Sequence, residues 1–277
     1  MIDSINSQHW PVGKKLVLVD FETTGFQMEG ADRVVELAFI CIQDGQIIAS
    51  DQQLINPRRT IPIHLTEEVH GISNEMVSDS PYFPEASEFL LEHLEDSIFI
   101  AHNASFDLRC LLTECLRHNI TLPSFHSVDT LKLSKQCISD VPNYKLATLA
   151  NSLGLDVSSA HRAMADVSMM VGILDHIFLS TNFNATENLI NIGGVRLPNV
   201  ELIPDTSEIV VLGQVMSVGS NYLLFYLDAK GATSEREITV QRIFGNSTTQ
   251  WIEAYCHLRN EMRSFNSQRI NSIISID

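Results

Sequence analysis

The chain has 277 residues, 44% of them hydrophobic, and carries 34 acidic against 18 basic side chains for a net charge of −16. Such a length suits one large domain, or a medium one followed by a small one. The charge argues against tight binding of duplex nucleic acid without excluding an enzyme that works at its ends. Residues 195–277 hold 9 acids and 7 bases, so a charge of −14 falls on residues 1–194. No run of about 18 apolar residues is present, so no transmembrane helix and no membrane partner are expected. Met1 to Trp10 is polar and lacks the apolar centre of a secretory signal. The five cysteines (Cys41, Cys110, Cys115, Cys137, Cys256) form no CxxC pair, as expected of thiols in a reducing cytoplasm.

Lys15 to Glu22 contains the continuous apolar stretch Leu16-Val17-Leu18-Val19, the pattern of a central strand buried on both faces. Val34 to Ile42 and Gln46 to Ile55 follow as strands, with Asp44-Gly45 as the hairpin turn and Asn56-Pro57 as the stop. A loop runs through Val69-His70-Gly71-Ile72. Pro84 to Leu94 is an amphipathic helix, with Glu85, Glu88, Glu92, Glu95 and Asp96 on a solvated side. Ser97 to Ala101 is a short buried strand leading into His102. Phe106 to Asn119 is helical, with Leu108, Leu111, Leu112 and Leu116 at core spacing. Ser127 to Leu131 is a further strand, and Tyr144 to Leu153 a helix stopped by Gly154. Arg162 to Phe178 is a last long helix, entered through Ser158-Ser159-Ala160. Three strands followed by alternating strands and helices predict an α/β domain with a mixed sheet over residues 1–180. The stretch 181–208, rich in Asn, Thr, Gly and Pro, is predicted as a linker. From 209 to 277 the chain is mostly β. Strands are expected at Ile209–Met216, Tyr222–Leu227, Glu237–Phe244, Gln250–Tyr255 and Arg263–Ile276, with turns at Ala229-Lys230-Gly231 and Gly245-Asn246. That density of short strands predicts a small barrel or meander.

Three segments concentrate the acids that could do chemistry: Asp20-Phe21-Glu22-Thr23-Thr24-Gly25, His102-Asn103-Ala104-Ser105-Phe106-Asp107, and His161-Arg162-Ala163-Met164-Ala165-Asp166. Side chains alternate along a strand, so Asp20 and Glu22 project together from the end of a buried one. Two such carboxylates repel unless a cation lies between them. Thr23-Thr24-Gly25 is a sharp exit whose N–H groups and hydroxyls could receive a substrate's terminal hydroxyl or phosphate. Asp107 sits at a helix start, directly after a buried strand. Asp166 falls roughly 80° from the centre of the stripe formed by Val167, Met170, Leu174 and Ile177, at the edge of a buried face. His161 and Asp166 would diverge by roughly 140° on one continuous helix. His161 is therefore placed in the loop entering that helix, where it suits a general base that deprotonates water. Four carboxylates with no zinc-type Cys or His cluster favour magnesium or manganese. Two such ions about 4 Å apart can activate water and stabilise the leaving oxygen of a phosphodiester. The residues thus predict metal-assisted phosphodiester hydrolysis.

The three segments together resemble the exonuclease motifs of the DEDDh (DnaQ-like) 3′–5′ exonucleases, the group that includes the proofreading epsilon subunit of bacterial replicative DNA polymerase. Val69-His70-Gly71-Ile72 and Val128-Asp129-Thr130-Leu131 are similar to further segments of that family, and the likeness covers roughly residues 14–180. The resemblance implies a ribonuclease H-like, mixed five-stranded sheet flanked by helices. It implies release of nucleoside 5′-monophosphates from a free 3′ end, of single-stranded DNA first and of RNA as the alternative. Asp20, Glu22, Asp107 and Asp166 would hold two divalent cations, Mg2+ or Mn2+, with His161 as the general base. Thr23, Thr24, Gly25, His70, Asn103 and Phe106 would line the substrate.

The C-terminal region resembles a WYL domain, a small Sm-like barrel. The resemblance is carried by Glu235 to Val240, Trp251 to Arg259, Met262 to Phe265 and Gln268 to Ile270. The Trp-Tyr-Leu signature reads Trp251-Ile252-Glu253 here. Arg259, Arg263 and Arg269 match basic positions of that family, which implies a ligand or nucleic acid as their partner. A reading from another class, a regulatory nucleic-acid binder on a passive exonuclease fold, leaves His161 without a chemical purpose.

Overall fold

In the computed structural model, which describes residues 9–158, 161–181, 183, 185–228, 231–245 and 250–276, strand β1 (Lys15–Thr23) is the middle of five. β2 (Val34–Gln43) and β3 (Gln46–Leu54) lie antiparallel on one side, turned at Asp44 (φ 49°) and Gly45 (φ 73°). β4 (Ser97–Ala101) and β5 (Phe125–Asp129) run parallel to β1 on the other. The order β3-β2-β1-β4-β5 is a ribonuclease H-like mixed sheet. The helices are α1 (Ile63–Glu68), α2 (Asn74–Val77), α3 (Phe83–Leu94), α4 (Ser105–Arg117), α5 (Thr130–Cys137), α6 (Leu146–Ser152), α7 (Ala163–Ser180) and α8 (Thr186–Gly193).

The uninterrupted apolar run of β1 reflects cores on both of its faces. Leu16 and Leu18 pack with Ile40 and Ile42 of β2 and with Val167, Met170, Leu174 and Ile177 of α7. Val17, Val19 and Phe21 pack with Leu90 and Leu94 of α3 and Leu108 and Leu111 of α4. Each fully buried side chain of this size contributes about 1.5–3 kcal/mol by leaving water. Helix α7 has 18 residues and a mean hydropathy of 1.4, enough by length and composition to cross a membrane. It is not the unbroken apolar run whose absence was expected, since Asp166, Ser168, Asp175 and His176 interrupt it. The apolar character of α7 is accounted for by its place as the central helix over the sheet, with nine buried residues.

Several elements depart from the predicted ones. The strand expected to reach Leu131 stops at Asp129, whose carboxylate accepts the Leu131 N–H at 2.8 Å and caps α5 instead. The stretch taken as a loop after Pro57 contains α1 and α2, which close a small core of Val35, Ile61, Leu65, Ile72 and Val77. The predicted linker contains α8. Its Leu189 is fully buried, and a Cβ at Gly193 would lie 2.8 Å from Leu133 and 2.9 Å from Val128.

Beyond residue 200 the chain is all antiparallel β. The strands are β6 (Asp205–Thr206), β7 (Glu208–Val211), β8 (Gln214–Ser217), β9 (Asn221–Leu227), β10 (Thr233–Gly245), β11 (Gln250–Cys256), β12 (Glu261–Asn266) and β13 (Ile270–Ser275). They pair in the order β12-β11-β10-β9-β13, with β6 beside β10 and β7–β8 as a separate hairpin. The single strand expected over Ile209–Met216 is folded in two at Leu212 (φ 52°) and Gly213 (φ 78°). The one expected over Arg263–Ile276 is broken by a 3₁₀ turn at Ser267–Arg269. Of the predicted turns and helix entry, Ala229, Lys230, Asn246, Ser159 and Ala160 lie outside the described residues.

Candidate active site

The α7-facing stripe of β1 runs Leu16, Leu18, Asp20, Glu22, so the same face turns from apolar to acidic where the strand leaves the core. Asp166 stands in the first turn of α7 above it. Asp20, Glu22 and Asp166 each present an oxygen within 4.8 Å of the others. Asp107 comes from the opposite layer. The rest of its helix, α4, packs in the second core, while its first turn rounds the end of β1, where Asp107 is 4% exposed and the Phe21 N–H acts on its carboxylate.

Burial and mutual repulsion keep this group from ionising easily. Asp20 is held well above the usual carboxylate range by burial first, then by Asp107, Asp166, Glu22 and Glu36. Burial, followed by Asp166, Glu36 and Asp107, pushes Glu22 up to about 8. Asp107 is pushed up to about 8 by burial, despite the amides of Phe21 and its own residue. Asp166 is raised by burial against the pull of the His161 amide. An all-oxygen donor set in this state fits hard divalent cations, which would remove the repulsion.

A stability signature follows. Glu22 and Asp107 titrate near 8 in the fold against 4.5 and 3.8 ordinarily. Between those values the folded chain keeps protons that the unfolded chain has released, so stability falls as pH rises. The cation-free melting temperature is expected to drop from about pH 5 to pH 8. Mg2+ or Mn2+ at a hundred times its Kd should restore ~5–10 °C at pH 8 and little at pH 5. Scanning calorimetry with chelator and with cation tests this; a flat profile with no cation effect contradicts the cluster's proposed charge state.

A fifth acid that sequence reasoning missed completes the electrostatics. Glu36 lies directly opposite Glu22 in the β1–β2 register and is fully buried. Like charges facing across a ladder are unfavourable. Arg162 resolves the conflict, with Nη2 at 2.6 Å and Nε at 3.1 Å from the Glu36 carboxylate, while the Ala163 N–H donates to it at 3.0 Å and the Gln52 amide at 2.8 Å. Burial raises Glu36, but these bonds outweigh it and hold its pKa below the usual value. The available signal was a lone acid inside the apolar run Val34 to Ile42.

His161 lies two residues ahead of α7 with φ 68°, exposed, and its main-chain N–H donates to Asp166 Oδ1 at 3.1 Å. The left-handed residue reverses the chain, and Arg162 then enters the helix anchored on Glu36. The turn residues are less free than predicted. Thr24 is 2% exposed and spends its hydroxyl on Asp32 Oδ1 at 3.0 Å; the Thr23 hydroxyl donates to the Gly25 carbonyl at 2.7 Å. A Cβ at Gly25 would fall 2.4 Å from Asp32 Oδ2. His70 is buried, accepts the Ile72 N–H on Nδ1 at 3.0 Å and borders the Thr23 main chain from beneath. Asn103 is exposed at φ 65°, its N–H given to Asp129 at 2.9 Å. Phe106 is half-buried and meets Phe26 at a centroid distance of 5.7 Å. Phe26, also missed, is 78% exposed; its signal was an aromatic directly after the turn glycine.

The β-rich region holds a separate cavity of about 370 Å³. Arg236, Arg259, Arg263 and Arg269 line it with Tyr226 and Phe265, beside one acid, Asp228. Arg263 pairs with Glu261 at 2.6 Å, whereas buried Arg236 Nη1 has no hydrogen-bond partner among the described residues.

A family model described as Exonuclease, RNase_T, matches residues 17–174, a span containing all four clustered carboxylates and His161. The 3′-5′ exonuclease DinG of Bacillus subtilis (strain 168) is 33% identical over 156 residues, which are 56% of this chain and 17% of that protein. The chain thus spans less than a fifth of that relative's length. A solved structure of Exonuclease X in complex with 5′ overhanging duplex DNA is 26% identical and covers 64% of this chain and 98% of its own, with a TM-score of 0.51. E. coli Exonuclease I in complex with a dT13 oligonucleotide is 13% identical and covers 87% of this chain and 55% of its own at a TM-score of 0.54, a likeness of fold alone.

Proposed function

The chain belongs to the Exonuclease family over residues 17–174, and from that membership we propose that it removes nucleotides one at a time from the 3′ end of single-stranded or frayed DNA. The observation that carries this reading is the group of four mutually repelling carboxylates at the end of β1, with His161 exposed at its edge. Asp20, Glu22, Asp107 and Asp166 are proposed to hold two divalent cations, Mg2+ or Mn2+. Those cations would supply charge neutralisation at the phosphodiester and make an attacking water more acidic. His161 takes the proton from that water. The water oxygen bonds to phosphorus, the P–O3′ bond breaks, and the departing 3′ oxygen gains a proton, so a nucleoside 5′-monophosphate leaves and a new 3′ hydroxyl remains. Phe26 and Phe106 present aromatic faces on which terminal bases can stack. The Thr23-Thr24-Gly25 main chain, backed by His70, and the exposed Asn103 line the place of the terminal sugar. DNA as substrate is supported by the DNA held in the Exonuclease X structure, and the 3′-to-5′ direction by the name of the Bacillus relative.

The proposed organisation is a catalytic unit over 1–180, a connector over 181–208 and a WYL-like β unit over 209–277. The packing of α8 on α5 and β5 extends the catalytic unit toward residue 194. The arginine cavity of the β unit is proposed to take phosphates of the same nucleic acid strand, since planar guanidinium groups bind phosphate through paired N–H donors.

One experiment tests both parts. The full chain is incubated with single-stranded, duplex, mismatched and RNA 3′ ends, with Mg2+, Mn2+ or chelator. Cation-dependent mononucleotide release, fastest on single-stranded or frayed DNA, is expected. Release from internal sites, or none in any arm, rejects the reading, and a faster RNA arm transfers it to RNA. In the same panel Arg236→Gln/Arg269→Gln should weaken binding of the single strand ~10-fold and flatten its salt dependence. Unchanged affinity removes the cavity from the substrate path.

A further inference from the structure

The turn that follows Glu22 is held from outside the exonuclease sheet. Asp32, 5% exposed, receives the Thr24 hydroxyl at 3.0 Å and the Gln27 N–H at 2.8 Å, so its carboxylate folds the loop between β1 and β2 back on itself. The same carboxylate meets Arg59 Nη1 at 3.2 Å. Arg59 Nη2 is paired with Glu253, which sits on β11 and is 8% exposed. Arg59 thus bridges a loop of the active site and a strand nearly two hundred residues away in sequence.

Two further contacts grip the same loop from the same side. A Cβ at Gly30 would lie 2.3 Å from the Phe244 ring, so that ring is seated directly on the backbone. The Ile203 N–H donates to the Glu29 carbonyl at 2.9 Å. The middle of the loop is thus shared: Arg117 of α4 donates to the Met28, Gly30 and Asp32 carbonyls, while Phe244, Ile203 and Arg59 with Glu253 hold it from the C-terminal side; its start is held by Thr24, whose hydroxyl also accepts the Arg33 N–H at 3.0 Å. A guanidinium buried between two carboxylates is suited to transmit position. Among the described residues it is the single cation within ion-pair distance of both acids, hydrogen-bonded to Glu253, and its removal leaves both carboxylates without that partner. Arg242, which also acts on Glu253, is itself tied to Asp205 at 2.6 Å.

We propose that Arg59 is a positioning residue of the exonuclease site: bridging Asp32 and Glu253, it makes the β-rich region hold the Thr23-Thr24-Gly25 turn in the shape that receives the 3′-terminal nucleotide. The proposal rests on the reading of that turn as the nucleotide seat. It assigns the C-terminal region a task in the active site that is independent of what its own cavity binds.

The test is steady-state digestion of a 5′-labelled single-stranded oligodeoxynucleotide by the full chain with Mg2+. Arg59→Met should raise KM ~10-fold while kcat changes less than ~3-fold, because binding of the terminal nucleotide is loosened and the carboxylates are untouched. Glu253→Gln, a change of one atom far from the site, should raise KM ~3-fold, and it keeps the test available if Arg59→Met fails to fold. The double variant should be no worse than Arg59→Met, since both act on one link, and Arg59→Lys should recover part of the loss. An unmoved KM in folded Arg59→Met or Glu253→Gln, or effects that multiply in the double variant, overturns the proposal. An inactive wild-type chain would overturn the functional reading as well, whereas an active wild type with insensitive variants overturns this inference alone.

Discussion

Asp20→Asn is expected to lower turnover on a single-stranded 3′ end by on the order of 10³-fold or more, and at the same time to raise the melting temperature of the cation-free protein. Both effects have one cause. Asp20 is the acid of the site whose pKa is held well above the usual carboxylate range by burial and then by four other carboxylates, Asp107, Asp166, Glu22 and Glu36. Asparagine keeps its shape and removes one of the charges that must coexist once the site ionises. The cation-free fold is relieved of repulsion, and the cations lose a charged oxygen at the centre of the set. Quantified mononucleotide release, together with melting in chelator at pH 8, reads both. Near-normal turnover would remove Asp20 from the chemistry. A lower melting temperature would show that its carboxyl supports the fold rather than straining it. The opposing signs are what separates a functional acid from a structural one.

His161→Asn is expected to reduce turnover by about 10²–10⁴-fold, the range for loss of a general base, while leaving the cation-induced rise in melting temperature intact. Asparagine is the informative choice because residue 161 has φ 68°, a left-handed conformation that asparagine tolerates better than alanine. The main-chain N–H that donates to Asp166 is retained, so the entry to α7 should keep its geometry. Loss of the cation effect along with turnover would make His161 part of the cation site. Turnover within a few-fold of wild type would move the base elsewhere. The exposure of His161 at a chain reversal, beside carboxylates that are largely buried, suits a group that meets water at the mouth of the site.

Much of this site was legible locally. The two-residue period of a strand puts Asp20 and Glu22 on one face, and the continuous apolar run before them shows that this strand is central. Helical periodicity alone excludes His161 from the helix that bears Asp166, and its place two residues ahead of α7 agrees with that. Elements were harder to read where a polar side chain competes with the backbone pattern. Asp129 caps a helix that the β-branched and apolar residues around it disguise as strand, and Leu212-Gly213 folds one expected strand into two. The helix α8 was hidden because its eight residues, among Asn, Thr and Gly, carry too short a pattern to stand out.

By itself the sequence singled out Asp20, Glu22, Asp107, Asp166 and His161 as candidates, and determined the face from which Asp20 and Glu22 project and the alternation of strands and helices that makes an α/β domain. Periodicity can do this because it reports which side of a segment is withdrawn from water. It does not report what lies against that side. Only the tertiary structure decided that Asp107 reaches the cluster from the opposite layer, that Glu36 faces Glu22 and is neutralised by Arg162, 126 residues away in sequence, and that Asp32, Arg59 and Glu253 join the Thr23-Thr24-Gly25 turn to a distant strand. Those are pairings of buried charges. A buried charge must find its partner wherever the packed fold brings one within reach, at a sequence distance that no local pattern records.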